Sequence, residues 1–165
     1  MDKVRVHLVA LMVAVFFAVP SLDWYSGLGV PLQAPLHHFL HANIFHLAVN
    51  CLAVWTMFNR RWKEEVKELL CAFVIGTVAY MAASAHSVGM SDMLFAVLGL
   101  RAARQGWWKS FYFAVMWGTI LLTAFLPNIS GLTHAISCAA GTAVGLAASS
   151  FRKLLDDYGK ARGNS

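Results

Sequence analysis

The segment HHFLHANIFHLAVN, residues 37 to 50, places four histidines and two asparagines in a stretch that is otherwise apolar and helix-like. His46 and Asn50 are four residues apart, so on a helix their side chains share one face and point toward a common spot. Such side chains can donate hydrogen bonds to an oxygen that becomes negatively charged during a reaction. His41 lies five residues before His46, off that face, and we expect it to support the region near the outer surface.

Two further polar residues, Ser91 and His134, lie in apolar stretches of their own. Ser91 opens a short apolar segment directly after Gly89 and Met90, and the glycine supplies the backbone freedom for an entry turn. Small residues at helical spacing follow His134, and a stripe of this kind lets two membrane helices approach closely. The members of this stripe are Cys138, Gly141, Gly145 and Ala148.

These residue types predict acyl-transfer chemistry. A serine hydroxyl is a poor nucleophile until a base takes its proton, and the tetrahedral intermediate needs donors aimed at its oxyanion. Ser91 would be the nucleophile, and His134 would act as general base and then as general acid. The oxyanion donors would be the Ser91 backbone N–H and the side chains of His46 and Asn50. Taken alone, Ser91 is better explained as a helix cap.

The composition is that of a membrane protein. Of the 165 residues, 59% are hydrophobic and 13% are charged, which lies outside the usual range of soluble domains. Uncharged apolar stretches predict six membrane helices in an all-α, single-domain fold over residues 1–165. The stretches cover residues 6–22, 36–58, 69–86, 90–100, 110–126 and 132–151.

The first and fourth stretches differ from ordinary spans. The first could be a signal peptide, but Pro20 and the lack of a small-residue cleavage pattern favour an uncleaved helix. The fourth is too short to cross a bilayer, so we expect this helix to begin within the membrane with Ser91 at its N-terminal end.

All thirteen lysines and arginines lie in the N-terminus, in the loops after the second and fourth stretches, or in the C-terminus. This asymmetry predicts that both termini are cytoplasmic, in what we expect to be a bacterial inner membrane. The net charge of +5 therefore reflects topology and does not indicate a nucleic-acid partner. The charged segment at residues 59–70 is interpreted as a solvated connector that runs into the third helix.

The cysteines and the remaining histidines predict no metal, cofactor or disulfide. Cys51, Cys71 and Cys138 lie in apolar segments without metal-ligand spacing. Four histidines are interpreted as interfacial residues without a chemical role. They are His7, His37, His38 and His86.

The order and spacing of these motifs over about residues 35 to 150 resemble the rhomboid intramembrane serine proteases. Three motifs carry the resemblance: H-x4-H-x3-N at His41, His46 and Asn50, G-x-S at Gly89 and Ser91, and His134 followed by Gly141 and Gly145.

The resemblance implies the minimal six-helix rhomboid fold with a short central fourth helix. It assigns Ser91 and His134 to a catalytic dyad, and His46 and Asn50 to the oxyanion hole. The implied substrates are transmembrane segments of other membrane proteins, which are cleaved without a metal or other cofactor.

Two residues depart from the family pattern. Asp92 follows the serine where the family usually has glycine, and Ser137 replaces the glycine usual three places after the histidine. A carboxylate suits a helix N-terminus but would oppose a nearby oxyanion. We therefore expect Asp92→Gly to preserve or raise activity.

Two other functions stay open at this point. Asp92 is compatible with an inactive relative of the family that binds membrane proteins without cutting them. A haem- or metal-binding membrane protein could use His37, His38, His41 and His46, but it would need facing carboxylates or a second group of histidines. The sequence shows no such second cluster.

Overall fold

The computed structural model describes residues 3–19, 21–58, 60–83, 88–105, 118 and 130–163. Within these ranges the chain is almost entirely helical, which confirms the predicted all-α class there. The helices are α1 (Lys3–Ala18), α2 (Asp23–Ser26), α3 (Val30–Leu36), a 3-10 turn (His37–Phe39), α4 (Ile44–Met57), α5 (Trp62–Ala83), α6 (Ser91–Gln105) and α7 (Gly131–Gly163). Apart from residue 118, the predicted helix at residues 110–126 lies outside the described ranges, as does His86.

Two of these helices, α5 and α7, are long and apolar enough to cross a membrane. A third span is present if α3, the 3-10 turn and α4 are counted as one, although the chain bends by 71° between them. The predicted continuous helix over residues 36–58 is therefore wrong. The backbone of Asn43 is extended and its side chain accepts the His46 N–H, so Asn43 caps a helix that begins at Ile44.

The predicted start of a short helix at Ser91 is confirmed. All residues of α6 from 92 to 103 are buried, as expected for a helix surrounded by others. It packs against α4, α5 and α7. This helix continues past its predicted end at residue 100 because Arg101 is buried in an ion pair rather than solvated.

Glycines set the distance between α6 and α7. A Cβ on Gly141 would collide with the Ala96 carbonyl, and one on Gly145 would lie 2.8 Å from the Leu100 carbonyl oxygen. Gly99 on α6 leaves equivalent room for the Cys138 carbonyl. The predicted close approach along the small-residue stripe is confirmed, and it brings the first turn of α7 to the start of α6.

The charged start of α5 is less solvated than its sequence suggests. Glu68 is only 3% exposed. Its carboxylate accepts hydrogen bonds from Arg101 Nε and Arg104 Nη1, each at 2.9 Å. Arg101 also donates to the Met57 carbonyl at 2.6 Å. This network joins the ends of α4, α5 and α6 far from Ser91.

Candidate active site

Ser91 and His134 meet between the first residue of α6 and the first turn of α7. Ser91 Oγ lies 2.8 Å from His134 Nε2. Ser91 is half-buried, whereas His134 is 5% exposed. A hydroxyl that donates to an imidazole nitrogen at this distance can pass its proton to that nitrogen as the oxygen attacks a carbonyl carbon.

Local contacts fix the His134 ring. The Ser130 hydroxyl accepts the Thr133 N–H at 3.3 Å, and the Ser130 carbonyl accepts the His134 N–H at 3.2 Å, so Ser130 caps α7. Phe95 stacks on the imidazole with ring centroids 4.5 Å apart and an angle of 28° between the planes. Phe95 was not predicted from the sequence, although its position four residues after Ser91 puts both on one face of α6.

The second ring nitrogen of His134, Nδ1, is buried and has no hydrogen-bond partner among the residues that the structure describes. The nearby Ser137 hydroxyl, which is fully buried, likewise has none in this part of the chain. The described geometry is therefore that of a Ser91–His134 pair rather than a triad with an orienting carboxylate.

The turn before Ser91 lies against His46 and Asn50. Gly89 has φ of 121°, a left-handed backbone conformation that favours glycine. A Cβ at this position would lie 2.5 Å from His46 Cε1 and 3.4 Å from Asn50 Nδ2. The structure thus brings both predicted oxyanion donors to the segment that carries Ser91.

Among the described residues, one amide hydrogen of Asn50 has no acceptor and is available for another group. Its Nδ2 donates to the His46 carbonyl at 3.1 Å, which uses one of its two hydrogens. The His46 ring is half-buried, and the His41 ring packs against it in a T-shaped contact with centroids 5.3 Å apart. His41 lies before α4 rather than on it, and its ring packs against the His46 ring from that position.

The interpretation of His37 and His38 as interfacial residues is wrong. Both are buried, at 1% and 0% exposure, and Asp92 is 2% exposed. The Asp92 carboxylate lies 2.5 Å from His37 Nε2 and 3.0 Å from His38 Nδ1. Asp92 is therefore not the unpaired carboxylate that the sequence suggested.

The same three side chains, His37, His38 and Asp92, have the composition of a metal site, which was not predicted from the sequence. Their candidate ligand atoms all lie within 4.8 Å of one another. Two ligands of a tetrahedral zinc ion lie roughly 3.4 Å apart, given bonds of about 2.1 Å. The 2.5 Å between His37 Nε2 and Asp92 Oδ2 is instead a short hydrogen bond.

A cavity of about 650 Å³ lies at the other end of α6. The helix rise places Leu100, which lines this cavity, about 14 Å along the axis from Ser91. Basic residues from three separate segments line it, namely Arg60, Lys67, Arg101, Arg104, Arg152 and Lys153. This cavity is therefore not part of the Ser91 site.

Comparisons of this chain with protein-family models, with curated proteins and with solved structures find no match.

Proposed function

We propose that the chain is an intramembrane serine endopeptidase of the rhomboid type, which cleaves transmembrane segments of other membrane proteins. The main support for the proposal is the distance of 2.8 Å between Ser91 Oγ and His134 Nε2. The two residues are 43 positions apart, and the contact needs a helix that starts inside the bundle together with a glycine-lined partner helix.

In the proposed reaction, Ser91 Oγ attacks the carbonyl carbon of the scissile peptide bond while His134 Nε2 takes the hydroxyl proton. The tetrahedral intermediate collapses when the protonated His134 gives that proton to the leaving amine, and the acyl chain stays on Ser91. Water then attacks the ester with His134 again acting as base, which releases the acid and restores the serine.

Three donors are available for the oxyanion. The free amide hydrogen of Asn50 and the ring of His46 lie beside the Gly89 turn. The Ser91 backbone N–H belongs to the first turn of α6, where N–H groups have no partner within the helix and the helix dipole favours negative charge. Together these groups would stabilise the charge that develops on the substrate carbonyl.

The distribution of charge supports a topology with both termini in the cytoplasm. Basic residues from three segments gather around the cavity at the far end of α6. By the positive-inside rule this end faces the cytoplasm. Ser91 then lies in the outer half of a six-helix bundle, where water could reach the half-buried hydroxyl from outside.

Cleavage of a single-span substrate in proteoliposomes tests the proposal. We expect cleavage by the wild type and none by Ser91→Ala or His134→Ala. Ser149→Ala is the matched control, because its hydroxyl is exposed and donates to the Gly145 carbonyl of its own helix. A folded wild-type protein that cuts none of a panel of single-span substrates would instead support the inactive relative that binds its clients.

A further inference from the structure

A buried carboxylate follows Ser91 directly, and it is compensated by three donors. Asp92 Oδ2 faces His37 Nε2 at 2.5 Å. Asp92 Oδ1 faces His38 Nδ1 at 3.0 Å and also accepts the Met93 N–H at 2.8 Å. A carboxylate at 2% exposure would be costly without such partners.

Hydrogen-bond geometry fixes the proton count of the His37–Asp92 pair. His37 Nδ1 lies 2.5 Å from the Ala34 carbonyl, which can only accept, so this nitrogen carries a hydrogen. One further proton is then shared between His37 Nε2 and Asp92 Oδ2. The pair is neutral overall whichever atom holds that proton, so it does not repel an oxyanion as a lone carboxylate would.

His37 also holds the turn on the other side of Ser91. Its carbonyl accepts the Gly89 N–H at 2.7 Å. Gly89 and Asp92 therefore flank Ser91 and are both bonded to His37, one through the main chain and the other through the side chain.

His38 connects this arrangement to α5. Its Nε2 lies 3.1 Å from Thr77 Oγ1. A Cβ on the neighbouring Gly76 would lie 2.7 Å from His38 Cε1 and 3.1 Å from Asp92 Oδ2. Helix α5 therefore packs directly against both side chains. The His37 ring stacks on Tyr80 of the same helix with centroids 4.2 Å apart.

We propose that His37, His38 and Asp92 form a clamp that positions the Ser91 hydroxyl for its contact with His134. Asp92 is a positioning residue: it acts by fixing the first turn of α6 against the 3-10 turn and α5. The effect of the clamp on activity rests on the proposed function, whereas its effect on the order of residues 88–93 does not.

The clamp works through hydrogen bonds, so an uncharged side chain of the same shape can replace Asp92. In Asp92→Asn, the amide Nδ2 can donate to His37 Nε2 while Oδ1 accepts from His38 Nδ1 and the Met93 N–H. Asp92→Ala and Asp92→Gly lose these contacts. The clamp therefore predicts the opposite of the sequence-based expectation that glycine would preserve or raise activity.

Two measurements on the full-length protein test the clamp. In Asp92→Ala and Asp92→Gly, kcat for a membrane substrate is expected to fall about 100-fold with KM little changed, because a small misplacement of a reacting group can cost that much. Asp92→Asn should keep most of the wild-type kcat. Asp156→Ala, at an exposed site on α7, is the control.

Hydrogen exchange separates failure of the clamp from failure of the proposed activity. Amides of residues 88–93 should exchange faster in Asp92→Ala than in wild type or Asp92→Asn, even if no variant cleaves anything. Wild-type exchange in Asp92→Ala would overturn the clamp. A second result would also overturn the clamp, namely one equivalent of zinc or iron bound to the purified wild type and lost in Asp92→Asn. That result would make the three side chains a metal site.

Discussion

The Gly89 amide donates to the His37 carbonyl at 2.7 Å, which ties the turn before Ser91 to the segment before α4. The same turn lies against His46 and Asn50 on α4. Three parts of the chain thus meet at the turn that precedes Ser91, and substitutions in each of them have distinct expected effects.

Gly89→Ala should abolish cleavage and lower thermal stability. A side chain at φ of 121° is strained by at least about 1 kcal/mol, and its Cβ would collide with the His46 ring. Unfolding temperature and cleavage rate, both measured in detergent, check this. Gly27→Ala is the control, since Gly27 has φ of −80° and ordinary space for a methyl group. Full activity of Gly89→Ala would contradict the described turn.

Asn50→Ala should lower kcat by about 100- to 1000-fold while KM changes little, because an oxyanion donor acts mainly in the transition state. Steady-state kinetics with a transmembrane peptide substrate measures both constants. Thr56→Ala on the same helix is the control, since its hydroxyl is exposed and donates to carbonyls of α4 itself. An increase in KM at constant kcat would mean that Asn50 binds substrate rather than the oxyanion.

Gly141→Ala should separate α6 from α7 and weaken both folding and cleavage. The added methyl would collide with the Ala96 carbonyl, and overpacking of this kind costs about 1–3 kcal/mol. Thermal unfolding and cleavage measured together check this. Gly159→Ala, further along the same helix with open space around it, should behave as wild type. Equal effects of the two substitutions would argue against the close α6–α7 contact.

Glu68→Ala should destabilise the protein by about 3–5 kcal/mol, because it leaves the buried Arg101 guanidinium uncompensated. Glu64 offers a matched comparison on the same helix: it pairs with the exposed Arg61, so Glu64→Ala should cost about 1 kcal/mol or less. Chemical unfolding of both variants measures the difference. Similar losses in the two would contradict the buried network.

Much of the Ser91 site could be predicted from local spacing. The four-residue interval between His46 and Asn50, the glycine before Ser91 and the small-residue stripe after His134 each constrain one helix or one turn. Ser91 and His134 come together because the small-residue stripe on α7 packs against α6.

The contacts of Asp92 could not be predicted in this way. His37 and Asp92 are 55 positions apart, and their contact depends on the bend between α3 and α4. The apolar character of residues 36–58 concealed that bend, although Asn43 is a residue type that caps helices. The burial of Glu68 could not be predicted either. A carboxylate in a charged segment is expected to be solvated, and its arginine partner lies on α6, distant in sequence.

The reactivity of Ser91 is tested most directly by treating the folded protein with a fluorophosphonate and mapping the adduct by mass spectrometry. We expect one phosphonylated residue, Ser91, in the wild type and no adduct in His134→Ala. A folded wild-type protein with no adduct, or with the adduct on another serine, would contradict the assignment of Ser91 and His134 as the reacting pair.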